Sequence, residues 1–320
     1  MSKPSISKSP SILLSVIVPC YNEEAVLNQL HLRLAAILET ISENYEVIYV
    51  SDGSTDNTDN LLEDMVSDDQ KNRVKFIKFS RNFGHQIAVT AGIEYAQGEA
   101  IVLIDADLQD PPELISEMVA KWQEGYQVVY CQRRKRDGES KFKLVTAKWF
   151  YQILAYLSDV NIPVNTGDFR LMDRKVVEVI KNMPEKDRFI RGMVAWVGFK
   201  QFALQYDREE RFAGESKYPF WKMVKFATDG ILSFSIKPLR LSTLLGLVSS
   251  LLSFIGIIYA LIMWVVGSPV LGWTLMFIAI MFFSGVQLIS LGVIGEYMGR
   301  SYAESKGRPL YIIEDIRGFE

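Results

Sequence analysis

Asp105 and Asp107 lie two residues apart, directly after the apolar run Ile101-Val102-Leu103-Ile104, and Gln109 follows at the same spacing. If the backbone stays extended there, side chains two apart turn to one side. Two carboxylates and an amide oxygen are hard ligands, suited to Mg2+ or Mn2+. Such an ion keeps some of its waters and bridges substrate phosphates, so the row points to a nucleotide-diphosphate site. A solvated acidic turn has the same spacing; the apolar run before it is what favours chemistry. The chain contains neither G-x-G-x-x-G nor G-x-x-x-x-G-K-[ST], so the two familiar phosphate-cradling loops are absent.

The elements that must hold this row alternate. Apolar, β-branched runs at 13–19, 45–50, 74–80, 100–104 and 127–131 predict strands, and 23–38, 56–66, 86–96 and 112–124 predict helices. Alternation at these lengths predicts an α/β architecture, a mainly parallel sheet covered by helices. Ligands of such sheets sit beyond the carboxyl ends of the strands. Polar segments fall there in order: Pro19-Cys20-Tyr21-Asn22-Glu23-Glu24, Ser51-Asp52-Gly53-Ser54-Thr55-Asp56, Arg81-Asn82-Phe83-Gly84-His85, and Asp105-Ala106-Asp107-Leu108-Gln109-Asp110. Each alone reads as a loop, with Asp56 and Asp110 as helix caps. His85 reads as a hydrogen-bonding residue at a helix start that could also approach a ligand.

Charges stop at Arg240 and resume at Glu296, leaving 55 positions without Asp, Glu, Lys or Arg. A bilayer core takes roughly 20 helical residues to cross, so the stretch predicts membrane helices at 241–266 and 273–295 around the turn residues Gly267-Ser268-Pro269. Lys237 and Arg240 precede the first helix, and Arg300, Lys306 and Arg308 follow the second. Basic flanks stay cytosolic, which predicts an integral membrane protein with both termini and the large N-terminal part inside. The remaining divisions are a loose tail at 1–10, a cytosolic domain at 11–215, a basic and aromatic juxtamembrane segment at 216–240 and a cytosolic tail at 296–320. Seven basic and two acidic residues between Arg133 and Lys148, followed by an amphipathic stretch at 142–157, predict a second contact with the lipid headgroups. Packing on the cytosolic domain or on a sister subunit is the alternative for both segments. Ser284, Gly285 and Gly292 would permit close contact between membrane helices, and so a homo-oligomer.

The net charge of −3 shows no basic excess of the kind that binds nucleic acid, and two cysteines are too few for a disulfide framework. No secretory leader is expected.

S-V-I-V-P-C-Y-N-E-E, S-D-G-S-T-D-N-T and D-A-D-L-Q-D-P-P resemble the family 2 glycosyltransferases, which have the GT-A fold. N-T-G-D-F-R-L-M-D-R at 165–174 and R-F-A-G-E-S-K-Y at 211–218 resemble a narrower branch acting on polyisoprenyl phosphates. That branch holds the dolichol-phosphate mannose synthases and, with a terminal helix pair, the bactoprenol glucosyltransferases. The resemblance implies that Pro19, Tyr21 and Glu23 line a nucleoside pocket, with Asp52 beside the base or ribose. It implies that Asp105 and Asp107 hold nucleotide and metal, assisted by Gln109. Asp168 matches the position of a catalytic base or a positioning group; a buried pair with Arg170 is the structural alternative. Arg133, Arg170, Arg211, Ser216 and Lys217 would contact the phosphates of donor or acceptor. The implied activity is inverting transfer of one sugar, glucose from UDP-glucose first, to polyprenyl (undecaprenyl) phosphate. GDP-mannose and aminoarabinose-type donors are alternatives, and a membrane-anchored nucleotide-sugar-binding scaffold is the non-enzymatic one. The Q-x-x-R-W of processive polysaccharide synthases is absent.

Overall fold

The structure, a computed structural model, describes residues 13–134, 163, 166–207, 235–266 and 272–319. Arg211, Ser216, Lys217, the amphipathic stretch at 142–157 and most of the juxtamembrane segment lie outside them. The chain divides into two compact units.

The first unit is built on strands β1 (Leu14–Cys20), β2 (Tyr45–Ser51), β3 (Val74–Phe79), β4 (Ala100–Leu103), β5 (Val128–Arg133), β6 (Thr166–Asp173), β7 (Gln201–Tyr206) and β8 (Ile313–Arg317). They form one sheet in the order β7-β5-β6-β4-β1-β2-β3-β8. The centre, β4-β1-β2-β3, is parallel. β6 runs antiparallel between β4 and β5, and β8 runs antiparallel on the outer edge of β3. The α/β GT-A architecture expected from the motifs is therefore present, with a sheet of mixed direction. Every residue of β1 and β2 is buried, and both carry a β-branched centre, Val16-Ile17-Val18 and Val47-Ile48 with Val50, as strands covered on both faces do.

Helices α1 (Leu27–Ile41), α2 (Thr58–Asp68), α3 (His85–Tyr95) and α4 (Ile115–Gln123) connect the parallel strands. α1 buries Leu27, Leu30, Leu34 and Leu38, the three- and four-residue spacing of one helical face. α3 packs so closely on β1 that a Cβ on Gly92 would lie 2.2 Å from Ile17 Cγ2. Helices α5 (Arg174–Lys181) and α6 (Ile190–Val197) follow β6.

At the end of the sheet opposite the polar loops, Glu46 is 1% exposed. Its carboxylate accepts from Ser15 Oγ, from the Gln97 N–H at 2.7 Å and from Lys75 Nζ. Removing one partner of a buried ion pair strands the other charge. Lys75→Ala is expected to lower unfolding free energy by about 3–5 kcal/mol in denaturant titration. A loss below about 1 kcal/mol, the scale of one ordinary hydrogen bond, would mean that Ser15 and Gln97 satisfy Glu46 unaided.

The second unit holds α7 (Lys237–Val265) and α8 (Trp273–Ser305). Both contain spans long and apolar enough to cross a membrane, at Lys237–Met263 and Ala279–Ser305, with mean hydropathy 2.3 and 1.6. Both helices extend past the uncharged stretch that predicted them. α7 begins at Lys237, with Pro238 in its first turn, where a missing N–H costs nothing. Ser235 Oγ accepts the Lys237 N–H at 3.2 Å. α8 runs ten residues beyond 295, and Glu296 and Arg300, 3.4 Å apart, pair along that extension. The segment 296–320, expected as a tail, is thus helix to Ser305 and then strand β8. Five mixed residues, I-E-D-I-R, give too weak an alternation to read as a strand; pairing with the β3 edge makes it one.

Candidate active site

The loops after the parallel strands meet at one edge and are stitched together by side chains. Asn22, in the left-handed region at φ 58°, accepts the Thr55 N–H at 2.8 Å and donates its own N–H to Ser54 Oγ at 3.2 Å. The Glu23 N–H donates to Thr58 Oγ1 at 2.8 Å. The N-cap of α2 is Asn57, not Asp56; Asp56, one residue earlier, accepts from the Thr58 N–H at 3.0 Å and the Glu24 N–H at 3.2 Å. Pro19 is buried in β1, whereas Tyr21 is 48% exposed at the edge.

Asp52 is 3% exposed and binds the third loop. Its Oδ1 accepts the Phe83 N–H at 2.6 Å and its Oδ2 the Gly84 N–H at 2.9 Å. Burial raises its carboxyl above the ordinary value, and these two N–H groups with His85 and Arg81 pull against that. Gly53 has φ +67°, and a Cβ there would sit 2.5 Å from the Arg81 carbonyl carbon. Glycine is required on both counts.

The fourth loop departs from expectation. β4 ends at Leu103 and the chain turns at Ala106 and Asp107, with Leu108 at φ 57°. The two carboxylates are therefore presented by a turn, not by an extended strand. Asp107 Oδ1 accepts the Gln109 N–H at 3.1 Å, and Gln109 is 9% exposed. Asp110 is not a cap: the helical turn that follows has Pro111 at its N-cap and no side-chain cap bond. It is fully buried and accepts from the Tyr206 hydroxyl. That hydroxyl also accepts from Arg133 Nε at 3.3 Å. A Cβ on Gly167 would be 3.1 Å from Arg133 Nη2, so the expected phosphate contact Arg133 lies against β6.

Asp168, on β6, is 4% exposed and hydrogen-bonded at both oxygens. Oδ1 accepts from Arg191 Nε at 2.7 Å. Oδ2 accepts from Gln86 Nε2 at 3.0 Å and lies 3.1 Å from His85 Nε2. Burial would raise the carboxyl, but the Arg191 charge and these hydrogen bonds hold it well below the usual range. Arg170, expected as its partner or as a phosphate contact, is 3% exposed, and its Nη2 stays 4.0 Å from Asp168 Oδ1. Its Nε and Nη2 donate to the carbonyls of Asp168 at 3.2 Å and Gly167 at 2.9 Å, so its role here is to fix the β6 backbone.

Asp105 lies across His85 from Asp168, with Oδ1 3.5 Å from His85 Nε2. That oxygen is buried and accepts no hydrogen bond among the described residues. Burial pushes the carboxyl up to about 6 despite the His85 charge. Burial alone would lower His85, but Asp168 and Asp105 raise it to about 9. His85, Asp105 and Asp168 bring candidate ligand atoms within 4.8 Å of one another. Asp107 is not part of that group. Both Asp168 oxygens already have donors, so Asp105 Oδ1 is the atom of the group that fits a hard cation.

Residues 15–181 match the model of Glycosyl transferase family 2. An uncharacterized glycosyltransferase, YkcC, of Bacillus subtilis (strain 168) is 52% identical over 98% of this chain and 96% of its own length. The chain belongs to glycosyl transferase family 2. It is also 40% identical to a prophage bactoprenol glucosyl transferase homolog of Escherichia coli (strain K12), over 95% of this chain and 99% of that one. The bactoprenol glucosyl transferase of Shigella phage SfV is 41% identical over 94% of this chain and 98% of its own.

In this family 2 chain the site draws on residues beyond the matched segment. Arg191 on α6 and Tyr206 on β7 both follow residue 181. Neither figures in the motifs. The one available signal for Arg191 is a lone charge in the apolar octet I-R-G-M-V-A-W-V. Gln86 carried no signal at all: its amide joins Asp168 to the Ile190 N–H, 3.0 Å from Gln86 Oε1 and 104 residues away in sequence.

Proposed function

We propose that this protein transfers one hexose, glucose from UDP-glucose foremost, to polyprenyl phosphate at the cytosolic membrane face, with inversion. The observation that carries this reading is the extent of the likeness. Relatives named for bactoprenol glucosyl transfer match over 94–95% of this chain, taking in both the sheet and the apolar helix pair. A soluble donor and a lipid acceptor need both units.

Asp105 and Asp107, with Gln109, would hold Mg2+ or Mn2+; the buried Asp105 Oδ1 without a hydrogen-bond donor supports this. Bound there, the ion would supply positive charge to the departing nucleoside diphosphate. Pro19, Tyr21 and Glu23 would line the nucleoside pocket. Asp52 would stand beside the base or ribose, oriented by the Phe83 and Gly84 N–H groups.

Arg133 would meet phosphate with its planar fork; Arg211, Ser216 and Lys217 are assigned the same task by motif alone. A lipid monophosphate is largely doubly ionised at neutral pH, with a second pKa of about 6. The nucleophilic oxygen then needs little help from a base. Asp168, held ionised by Arg191, is suited to positioning His85 and Arg191 rather than to taking a proton. The basic residues flanking the apolar helices support cytosolic termini, and those at 133–148 and 217–240 support contact with the anionic leaflet.

Calorimetry of the full chain with UDP-glucose, GDP-mannose and a UDP-linked aminoarabinose, each with Mg2+ and with Mn2+, tests the donor. UDP-glucose is expected to bind at least tenfold more tightly than the others, a difference of about 1.4 kcal/mol. Preference for GDP-mannose would move the reading to a mannosyl enzyme. Binding of every donor without metal would remove the assigned role of Asp105 and Asp107.

A further inference from the structure

The last strand of the chain reaches the donor side of the sheet. After α8 ends at Ser305, residues 306–310 lead into Tyr311 and then β8. The Tyr311 ring stacks on Phe79, with centroids 4.9 Å apart and planes 17° from parallel. Its hydroxyl donates to Glu94 on α3. One residue on, the Ile312 carbonyl accepts the Ser80 N–H at 3.1 Å. Phe79, 1% exposed, meets Phe83 edge to face at 5.7 Å. Phe83 is the residue whose N–H, with that of Gly84, holds Asp52.

The loop between β3 and α3 is thus gripped from two sides. On one side Asp52 holds it by two hydrogen bonds, and Gly53 lets it approach to a distance no side chain would permit. On the other side it rests on Phe79, and Phe79 on Tyr311. Arg81 covers the Phe83 ring, 4.0 Å from its centroid. Nothing in the motifs before residue 181 supplies that outer support; it comes from the far end of the chain.

We infer that Tyr311 is a positioning residue for the donor pocket. Acting through Phe79 and Phe83, it fixes the N–H pair that orients the Asp52 carboxylate. The segment that returns from the apolar helices thereby sets affinity for the nucleoside end of the donor. This rests on the proposal that Asp52 lies beside the donor base or ribose.

The test uses the full chain in detergent, with UDP as calorimetric probe in the presence of Mg2+, followed by steady-state transfer from UDP-glucose. Tyr311→Ala removes the stack; Tyr311→Phe keeps it and loses only the bond to Glu94. Tyr311→Ala is expected to weaken UDP binding about tenfold, about 1.4 kcal/mol. Its donor KM should rise by the same factor, with kcat at saturating donor nearly kept. Tyr311→Phe should recover affinity to within about twofold, under 0.5 kcal/mol. Tyr311→Leu, which keeps apolar bulk, serves if Tyr311→Ala does not fold and should still weaken UDP binding. Asp52→Asn is the reference and should weaken it too. If Asp52→Asn weakens UDP binding and neither Tyr311→Ala nor Tyr311→Leu does, the inference is overturned and the reading of the pocket stands. If Asp52→Asn leaves binding unchanged, the reading of Asp52 falls and takes the inference with it. If Tyr311→Ala lowers kcat and stability with UDP affinity intact, Tyr311 is a structural residue only, and the inference fails.

Discussion

Asp105→Asn is expected to cut sugar transfer by about a thousandfold while leaving the protein at least as stable as before. The loss follows from the role assigned to the carboxylate. An ion that offsets charge on a leaving diphosphate is worth several kcal/mol, and each 1.4 kcal/mol is tenfold in rate. The stability gain follows from the site itself. Asp105 has a buried oxygen with no hydrogen-bond donor among the described residues, and Asp168, Asp110 and Asp107 repel its charge. Its carboxyl sits at about 6 in the folded chain, above its ordinary value. At neutral pH the folded state therefore carries an ionised group that the unfolded chain accommodates more easily. A neutral amide relieves this. Transfer assays with Mg2+ or Mn2+, paired with thermal unfolding of the metal-free protein, check both halves. A chelator should abolish wild-type transfer, and either ion should restore it. Loss of stability equal to the loss of activity would mean that Asp105 is a structural residue.

Arg191→Ala is expected to remove about 3 kcal/mol of stability and most of the activity. Asp168 is 5% exposed at its side chain, and Arg191 supplies its nearest charged donor, at 2.7 Å. Truncating one member of a buried pair leaves the other uncompensated. His85 and Gln86 remain on Oδ2, which limits the damage. Arg191→Lys should retain part of the stability, because a lysine can neutralise Asp168 but cannot also reach the Thr166 carbonyl, to which Arg191 Nη1 donates at 3.1 Å. Asp168→Asn combined with Arg191→Ala should cost less than the sum of the single changes, since the stranded charge is gone. Denaturant unfolding of the four proteins measures that coupling. Additive losses would show that the pair does not act as a unit.

These expectations divide along what a sequence can carry. The parallel strands are legible because each is a short, largely apolar run closed by polar turn residues, and the polar loops fall at their carboxyl ends. β6 was not read as a strand. It buries Asp168 and Arg170 inside a central antiparallel position, where a hydrophobic pattern would be expected. Both are satisfied there, Asp168 by Arg191, Gln86 and His85 and Arg170 by the carbonyls of Gly167 and Asp168, and partners so far apart in sequence leave no local strand signal. The acidic row is legible in the sequence, yet the turn that presents it is not, because Leu108 adopts a left-handed conformation that an ordinary leucine does not announce. Asp110 reads as a cap in the sequence because its hydroxyl donor, on Tyr206, lies 96 residues away. Arg191, Gln86 and Tyr311 share that property. Their contacts are set by sheet order and helix packing, which a local spacing does not contain.

Transfer of a sugar to the lipid phosphate is read directly by partition of label. The purified full chain is supplied with UDP-[14C]glucose, Mg2+ and polyprenyl phosphate in detergent, and the mixture is partitioned between water and organic solvent. Label is expected in the organic phase as a lipid-linked monosaccharide, dependent on metal and on the lipid phosphate. Label confined to the aqueous phase, with this donor and with GDP-mannose alike, would contradict it.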